Sequence, residues 1–233
     1  MMVLGDRRPF SSNMHLFRAN EGDRNPCRPA FWPYWICLAI FALGGVTAMR
    51  ATTVVPPEFS TLVNDSDYIV RAVTRSVSAE KRTGPGGVTI VTHVELEVIE
   101  VVAGAPPPKI VLELLGGRVG NEEMTVGGMP RFHVGDEDIL FVSGNGRTIC
   151  PLYGMMHGRY SVQKDPATAR RYVARSDGEP LRTSAQIASP IGEKGTAEPA
   201  RRAAAVAAAL DPAEFIRQIR AAVRPDARLN RAK

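Results

Sequence analysis

Between Met49 and Val162 apolar residues recur at every second position in short runs, the period of a half-buried strand. Tyr68–Ser78 (Y-I-V-R-A-V-T-R-S-V-S) is rich in β-branched residues and reads as a strand, with Gly84–Gly87 (G-P-G-G) as a hairpin turn after it. In Val88–Val102 the alternation puts Val94, Leu96 and Val98 on one face and His93, Glu95 and Glu97 on the other. The parity then slips at Ile99 and Val101, which predicts a β-bulge and a bent strand. Ala103–Pro108 (A-G-A-P-P-P) cannot join a ladder. Lys109–Leu115, Glu122–Val126, Asp138–Val142, Thr148–Leu152 and Arg159–Val162 are further strands, separated by glycine-rich loops at Leu115–Gly120, Val126–Pro130 and Ser143–Gly146. Many short strands with evenly spaced turns predict a mainly β fold, a small barrel whose closure hides its edges.

Helical spacing appears only at the flanks. Phe59, Leu62 and Val63 follow Pro56-Pro57 and predict a short N-terminal helix. Beyond Val162 the composition turns to Ala, Arg and Pro. Gln163–Gly195 reads as loop, with one hairpin around Ala169–Arg175, and Ala197–Leu210 is an alanine-rich helix former. Asp211-Pro212-Ala213-Glu214 is a helix start, with Asp as N-cap and Pro in the first turn. Phe215, Ile216, Ile219 and Val223 then form an apolar stripe that docks on the barrel or on a partner. The expected division is a barrel over 49–162, a flexible linker over 163–196 and a basic helical extension over 197–233.

The first 48 residues read as an export signal. Ala30–Val46 carries no charge, Arg18, Arg24 and Arg28 precede it, and Val46-Thr47-Ala48 supplies the small residues before a cleavage site. Its apolar core, Trp35–Leu43, is short for a membrane span of about 20 residues. An uncleaved anchor, and with it a membrane-held envelope protein, is the alternative. Met14 competes with Met1 as the start. Cys27 and Cys37 lie in this leader, so the mature chain keeps Cys150 alone and holds together without internal disulfides.

The chain has 233 residues, a formal charge of +5 and 6% aromatic residues. The charge is uneven: residues 49–162 hold ten Lys and Arg against thirteen Asp and Glu, and residues 163–233 hold fourteen against eight. The β-rich part is thus slightly acidic and the extension basic. No basic-aromatic surface for nucleic acid is visible.

Four stretches resemble the netrin-module and tissue-inhibitor-of-metalloproteinases superfamily. They are D-S-D-Y-I-V-R-A-V at Asp65–Val73, V-E-L-E-V-I-E-V-V-A-G at Val94–Gly104, G-D-E-D-I-L-F-V at Gly135–Val142 and G-N-G-R-T-I-C at Gly144–Cys150. The section from Gly116 to Asp138 is similar to exported bacterial proteins that accompany matrixin-type proteases. The resemblance implies an OB-like barrel over 56–162 and action on another protein. Inhibitors of that superfamily begin with a cysteine that grips the target zinc and are pinned by disulfides. The expected mature start here, Met49-Arg50-Ala51-Thr52, has neither. The fold carries over; the zinc-gripping wedge does not.

Candidate chemistry is sparse. His133 with Asp136 and Asp138 (H-V-G-D-E-D) offers metal-ligand types at a turn, and His93, His157 and Cys150 complete a set only if the fold converges them. Ser78-Ala79-Glu80-Lys81 matches S-x-x-K, but on a strand rather than the helix that spacing requires. Arg118 and Arg131 flank the glycine loops and suit an acidic group. Met155 and Met156, in a soft turn, suit a docking surface, as do Phe215 and Ile219. The reading is an exported, non-enzymatic binding or accessory module, without cofactor, that meets a protein partner in the cell envelope or outside the cell. The alternative is a metal-assisted hydrolase built on His133 and its acidic neighbours.

Overall fold

The computed structural model describes residues 55–84, 86–191 and 199–225, so the expected leader and cleavage point lie outside the described residues, as do the last eight residues. Within them the chain is mainly β. In order it forms α1 (Phe59–Asp65), β1 (Tyr68–Gly84), β2 (Gly87–Gly104), β3 (Ile110–Leu115), β4 (Gly117–Val119), β5 (Glu122–Met124), β6 (Glu137–Val142), β7 (Arg159–Lys164), β8 (Arg171–Arg175), α2 (Pro199–Ala207) and α3 (Pro212–Ala222). Short 3-10 helices occupy Met155–Gly158 and Ser184–Ala188. Among the described residues no helix is long and apolar enough to cross a membrane.

Six strands make one antiparallel sheet in the order β3-β2-β1-β6-β7-β8, and β4 with β5 makes a separate ribbon. The sheet is open and not closed into a barrel. The reason is β7, which runs on to Lys164 and takes β8 as its outer neighbour through Tyr160↔Arg175 to Lys164↔Arg171. The expected strand over Thr148–Leu152 reduces to one bridge, Val142↔Leu152, because the backbone N–H groups of Arg147 and Thr148 turn back onto the Gly144 carbonyl.

The long β1–β2 hairpin is bent where the alternation slips. Ile69 faces Ala103 and Val70 faces Val101, so Val102 is the extra residue; Arg71 faces Glu100 and Ala72 faces Val98, so Ile99 is another. A third irregularity falls at Arg75. These bulges turn Val102 into a core while leaving Ile99 and Val101 about half exposed, at 49% and 45%. Gly104 closes the hairpin against the start of β1. A Cβ there would lie 2.5 Å from the Asp67 carbonyl oxygen, and its φ of +81° suits glycine alone.

The sheet buries both faces at its centre. Tyr68, Val70 and Ala72 of β1, Val94 and Leu96 of β2, Ile110, Leu112 and Leu114 of β3, and Leu140 and Val142 of β6 share an inner cluster, closed by Phe132 and Leu152. Ile69, Ile139, Phe141, Tyr160 and Val173 point the other way and meet Leu62 and Val63 of α1, Leu181, Ile187, and Phe215, Ile216 and Ile219 of α3. Ile139 and Phe141 therefore face the helices and not the inner cluster with Val94 and Leu96. The G-D-E-D-I-L-F-V run is apolar at four successive positions, and a strand buried on both faces has no solvent side to fix its parity.

This second core also corrects the expected division at Val162. Strand β8 and the segment carrying Leu181 and Ile187 fall inside the predicted flexible linker, yet β8 pairs with β7, and Val173, Leu181 and Ile187 are buried in this core. Phe215 packs against Tyr160 at 5.2 Å and Phe141 at 6.4 Å between ring centroids. Their burial, about 1.5–3 kcal/mol per large side chain, outweighs the cost of ordering the connection locally. Helix α3 starts as the sequence predicts, with the Asp211 side chain accepting a 2.8 Å hydrogen bond from Ala213 N and Pro212 in the first turn. Helix α2 lies on the opposite face of β8, with Val206 and Ala209 against Tyr172 and Ala174. Arg170 caps its last turn by donating to the carbonyls of Val206, Ala207 and Ala209.

Candidate functional site

The chemistry of the molecule concentrates where β6 begins. Strand period places Asp136 and Asp138 on the inner side with Leu140, and it places Arg159 of β7 beside them, because Leu140 pairs with Arg159 and Asp138 with Ser161. The Arg159 guanidinium is a four-way hub. Its Nε donates to Asp138 Oδ1 at 2.8 Å, its Nη2 to Asp136 Oδ2 at 2.8 Å, and its Nη1 to the Arg131 carbonyl. Its plane lies 4.1 Å from the centre of the Phe132 ring, a cation–π contact.

One arginine thus ties the buried strand to the loop before it. That loop is closed locally too: Asp136 Oδ2 accepts from His133 N at 2.9 Å, and Asp136 N donates to the His133 carbonyl at 3.0 Å. Gly135 N and the Asp136 carbonyl bond Thr74 of β1 on either side, at 2.9 Å each.

Asp138 is 1% exposed and its Oδ2 has no hydrogen-bond partner, a property shared among the described residues only by Thr74 Oγ1 on the same face of β1. Burial pushes its carboxyl up to about 6, against the opposing pull of Arg159. Glu137, on the other face, receives Arg71 Nε at 2.7 Å and also Arg171; Arg71 reaches Glu100, which pairs with Arg220 of α3 at 2.8 Å. This chain of five charges crosses the sheet from β8 to α3.

Two clefts flank the 130–136 loop. The larger, about 760 Å³, is bordered by Asp136, Met156, Arg159, Lys164, Arg171 and Arg175. The smaller, about 550 Å³, is more apolar, with Leu114, Val126, Met129 and Phe132 in its wall. Arg131 and His133 belong to both.

The residues singled out in the sequence scatter around this centre. His133 is on the loop but its side chain is 79% exposed, with Nδ1 3.4 Å from Asp136 Oδ2. Asp136 and Asp138 turn their facing oxygens to Arg159, a cation already in place. Among the described residues no group of three or more His, Cys, Asp and Glu gathers to hold a metal. Ser78 and Lys81 sit three apart on β1 and so project to opposite faces, and Lys81 pairs with Glu122 at 2.5 Å. His93 faces Glu80 at 3.2 Å on the outer charged face of the hairpin. His157 is buried at the end of its 3-10 turn, and burial lowers its pKa. Cys150 is half-buried, with its thiol pushed up by burial. Arg118 donates to the Gly120 carbonyl.

Met156 borders the larger cleft. Met155, at φ +57°, packs its Cε 3.3 Å from where a Gly128 Cβ would lie. Phe215 and Ile219 are wholly buried in the helix-side core and are not available to a partner. Arg159 is the residue that sequence reading missed. Its signal is Asp138: a carboxylate that opens a strand of four successive apolar residues is carried into the core, and a buried carboxylate requires a cation.

No protein-family model matches the chain, and no curated protein matches it.

Proposed function

We propose that this chain is an exported, non-enzymatic binding module that receives a protein partner at the cleft beside the 130–136 loop. The observation that carries the reading is the cleft itself, about 760 Å³ in volume and pre-shaped by the Arg159 hub. Its border combines the soft side chain of Met156 with the cations Lys164 and Arg171 and the carboxylate of Asp136. An adaptable apolar contact beside fixed charges suits a protein surface better than a small apolar ligand. The strand order β3-β2-β1-β6-β7 supports a relation to OB-like netrin modules, taken as such a barrel opened between β7 and β3. The apolar leader supports export with cleavage after Ala48.

A photo-crosslinking residue placed at Met156 in the exported protein tests this. A discrete adduct is expected there, and none from Val88, which is 62% exposed at the far end of the hairpin. Equal labelling from both positions, or none from Met156, overturns the reading.

A further inference from the structure

Nearly every arginine among the described residues is committed. Arg71, Arg75, Arg82, Arg147, Arg159, Arg171, Arg217 and Arg220 each meet a carboxylate within 3 Å. Arg118, Arg131, Arg170 and Arg175 reach carbonyls, a hydroxyl or a longer ion pair. Four guanidinium groups among the described residues have no such contact: Arg182, Arg201, Arg202 and Arg224. Three of these four line one cleft.

The cleft, about 290 Å³, lies between the turn at Glu179–Arg182, the 3-10 helix Ser184–Ala188 and helix α2. Arg182 enters it from the turn, and Arg201 and Arg202 from α2, while Ala204 and Ala205 keep its helical wall short. Gln186 also lines it. Its Oε1 is spent on the backbone N–H groups of Arg182 at 2.7 Å and Thr183 at 3.2 Å, so Nε2 remains as a donor. Among the described residues Glu179 is the one acid in the lining, and it pairs with none of the three arginines. Among the described residues, three arginines and the Gln186 amide donor line the cleft against one carboxylate. Here three arginines line one cleft with no carboxylate partner among the described residues.

We infer that this cleft binds a compact polyvalent oxyanion, a phosphate or phosphate monoester. Guanidinium forks match such oxygens two at a time, and a phosphate supplies the paired acceptors that none of the described residues offers here. The volume fits one phosphoryl group with a small substituent rather than a polymer. The site is separate from the Met156 cleft and does not rest on the binding reading given above.

The test is calorimetric titration of the full mature chain with inorganic pyrophosphate and phosphate at fixed ionic strength of about 0.15 M, since weaker screening inflates surface electrostatics. Saturable one-to-one binding is expected. The double variant Arg182→Ala/Arg202→Ala should lose at least about tenfold in affinity, equivalent to about 1.4 kcal/mol, with an unchanged melting temperature. Arg182→Lys/Arg202→Lys, which keeps charge but not the fork, should fall between. Arg224→Ala, also unpartnered but outside the cleft, should bind as the parent does. Vesicles carrying phosphatidic acid, set beside the soluble anions, tell a lipid headgroup from a free phosphate ester. No saturable binding, unaltered binding by the double alanine variant, or an equal loss in Arg224→Ala overturns the inference.

Discussion

Along β6 the side chains alternate between two cores, and at Asp138 that alternation delivers a carboxylate into the inner one. Its ionised form meets Arg159 on one oxygen and nothing on the other. Burial dominates, and the carboxyl is held at about 6, above the 3.8 of an unfolded aspartate. The folded state therefore keeps a proton that the unfolded chain has lost between those two values. Stability from this group is fully present below about pH 4 and is lost as pH rises to about 6, by about 3 kcal/mol at 1.36 kcal/mol per pH unit. Denaturant unfolding of the parent and Asp138→Asn across pH 4 to 7 reads this directly. The parent should lose stability relative to the variant over that range and run parallel to it above. A parent that instead gains stability relative to the variant as pH rises would mean that Arg159 wins over burial. At this scale the sequence was legible in part. Val94 and Leu96 were assigned to the inner face because charged neighbours mark the opposite parity. Ile139 and Phe141, expected on that same inner face, lie on the opposite one, because Leu140 and Val142 are as apolar as they are and only the packing partners separate the two sets.

Elements were legible where a local signal fixed them. The Gly84–Gly87 hairpin, the bulge near Ile99 and the Asp211-Pro212 helix start each follow from a turn residue, a parity slip or a cap. The sequence marks a hairpin around Ala169–Arg175 but not that β8 joins the core, because R-Y-V-A-R has three adjacent apolar residues and no alternation to show which face is covered. Successive ones are buried by different distant elements, Tyr172 by α2 and Val173 by the helix-side core. The same logic defines α3 as structural. Phe215 sits at the centre of an aromatic group with Phe59, Phe141 and Tyr160, so Phe215→Ala should cost about 3–5 kcal/mol in denaturant unfolding. If α3 instead docked loosely, the loss would stay below about 0.5 kcal/mol, as for a surface position. The exposed strand of charges behaves differently. Arg75–Glu97, Arg82–Glu113 and Lys109–Glu95 decorate the outer face of β1, β2 and β3. Water screens such exposed pairs, so they add little to stability. Their larger effect is on the sheet edge, where charge discourages pairing with another chain.

At the scale of the whole molecule, residues from each end of the described chain meet on one face of the sheet. The chain of charges Arg171–Glu137–Arg71–Glu100–Arg220 crosses that face from β8 to α3, with Arg71 and Glu137 only 18% and 21% exposed at its middle. Glu137→Gln removes the shared acceptor of two arginines and should cost about 1.5–3 kcal/mol, the worth of a hydrogen bond to a charged group. Raising salt should narrow the difference only slightly, because partly buried pairs are poorly screened. Beneath this strap lies the decisive burial. A chain cut after Lys164 keeps β1 to β7 but strips Val173, Leu181, Ile187, Phe215, Ile216 and Ile219 from the helix-side core. Ile69, Ile139, Phe141 and Tyr160 would then face water on the side where they are now fully covered. Six lost partners at about 1.5–3 kcal/mol each are as large as the 5–15 kcal/mol that hold an ordinary domain together. The truncated chain should therefore show no cooperative unfolding transition and should bind a hydrophobic dye. A sharp transition from that fragment would mean that the inner cluster folds alone and that the C-terminal part is an appendage after all.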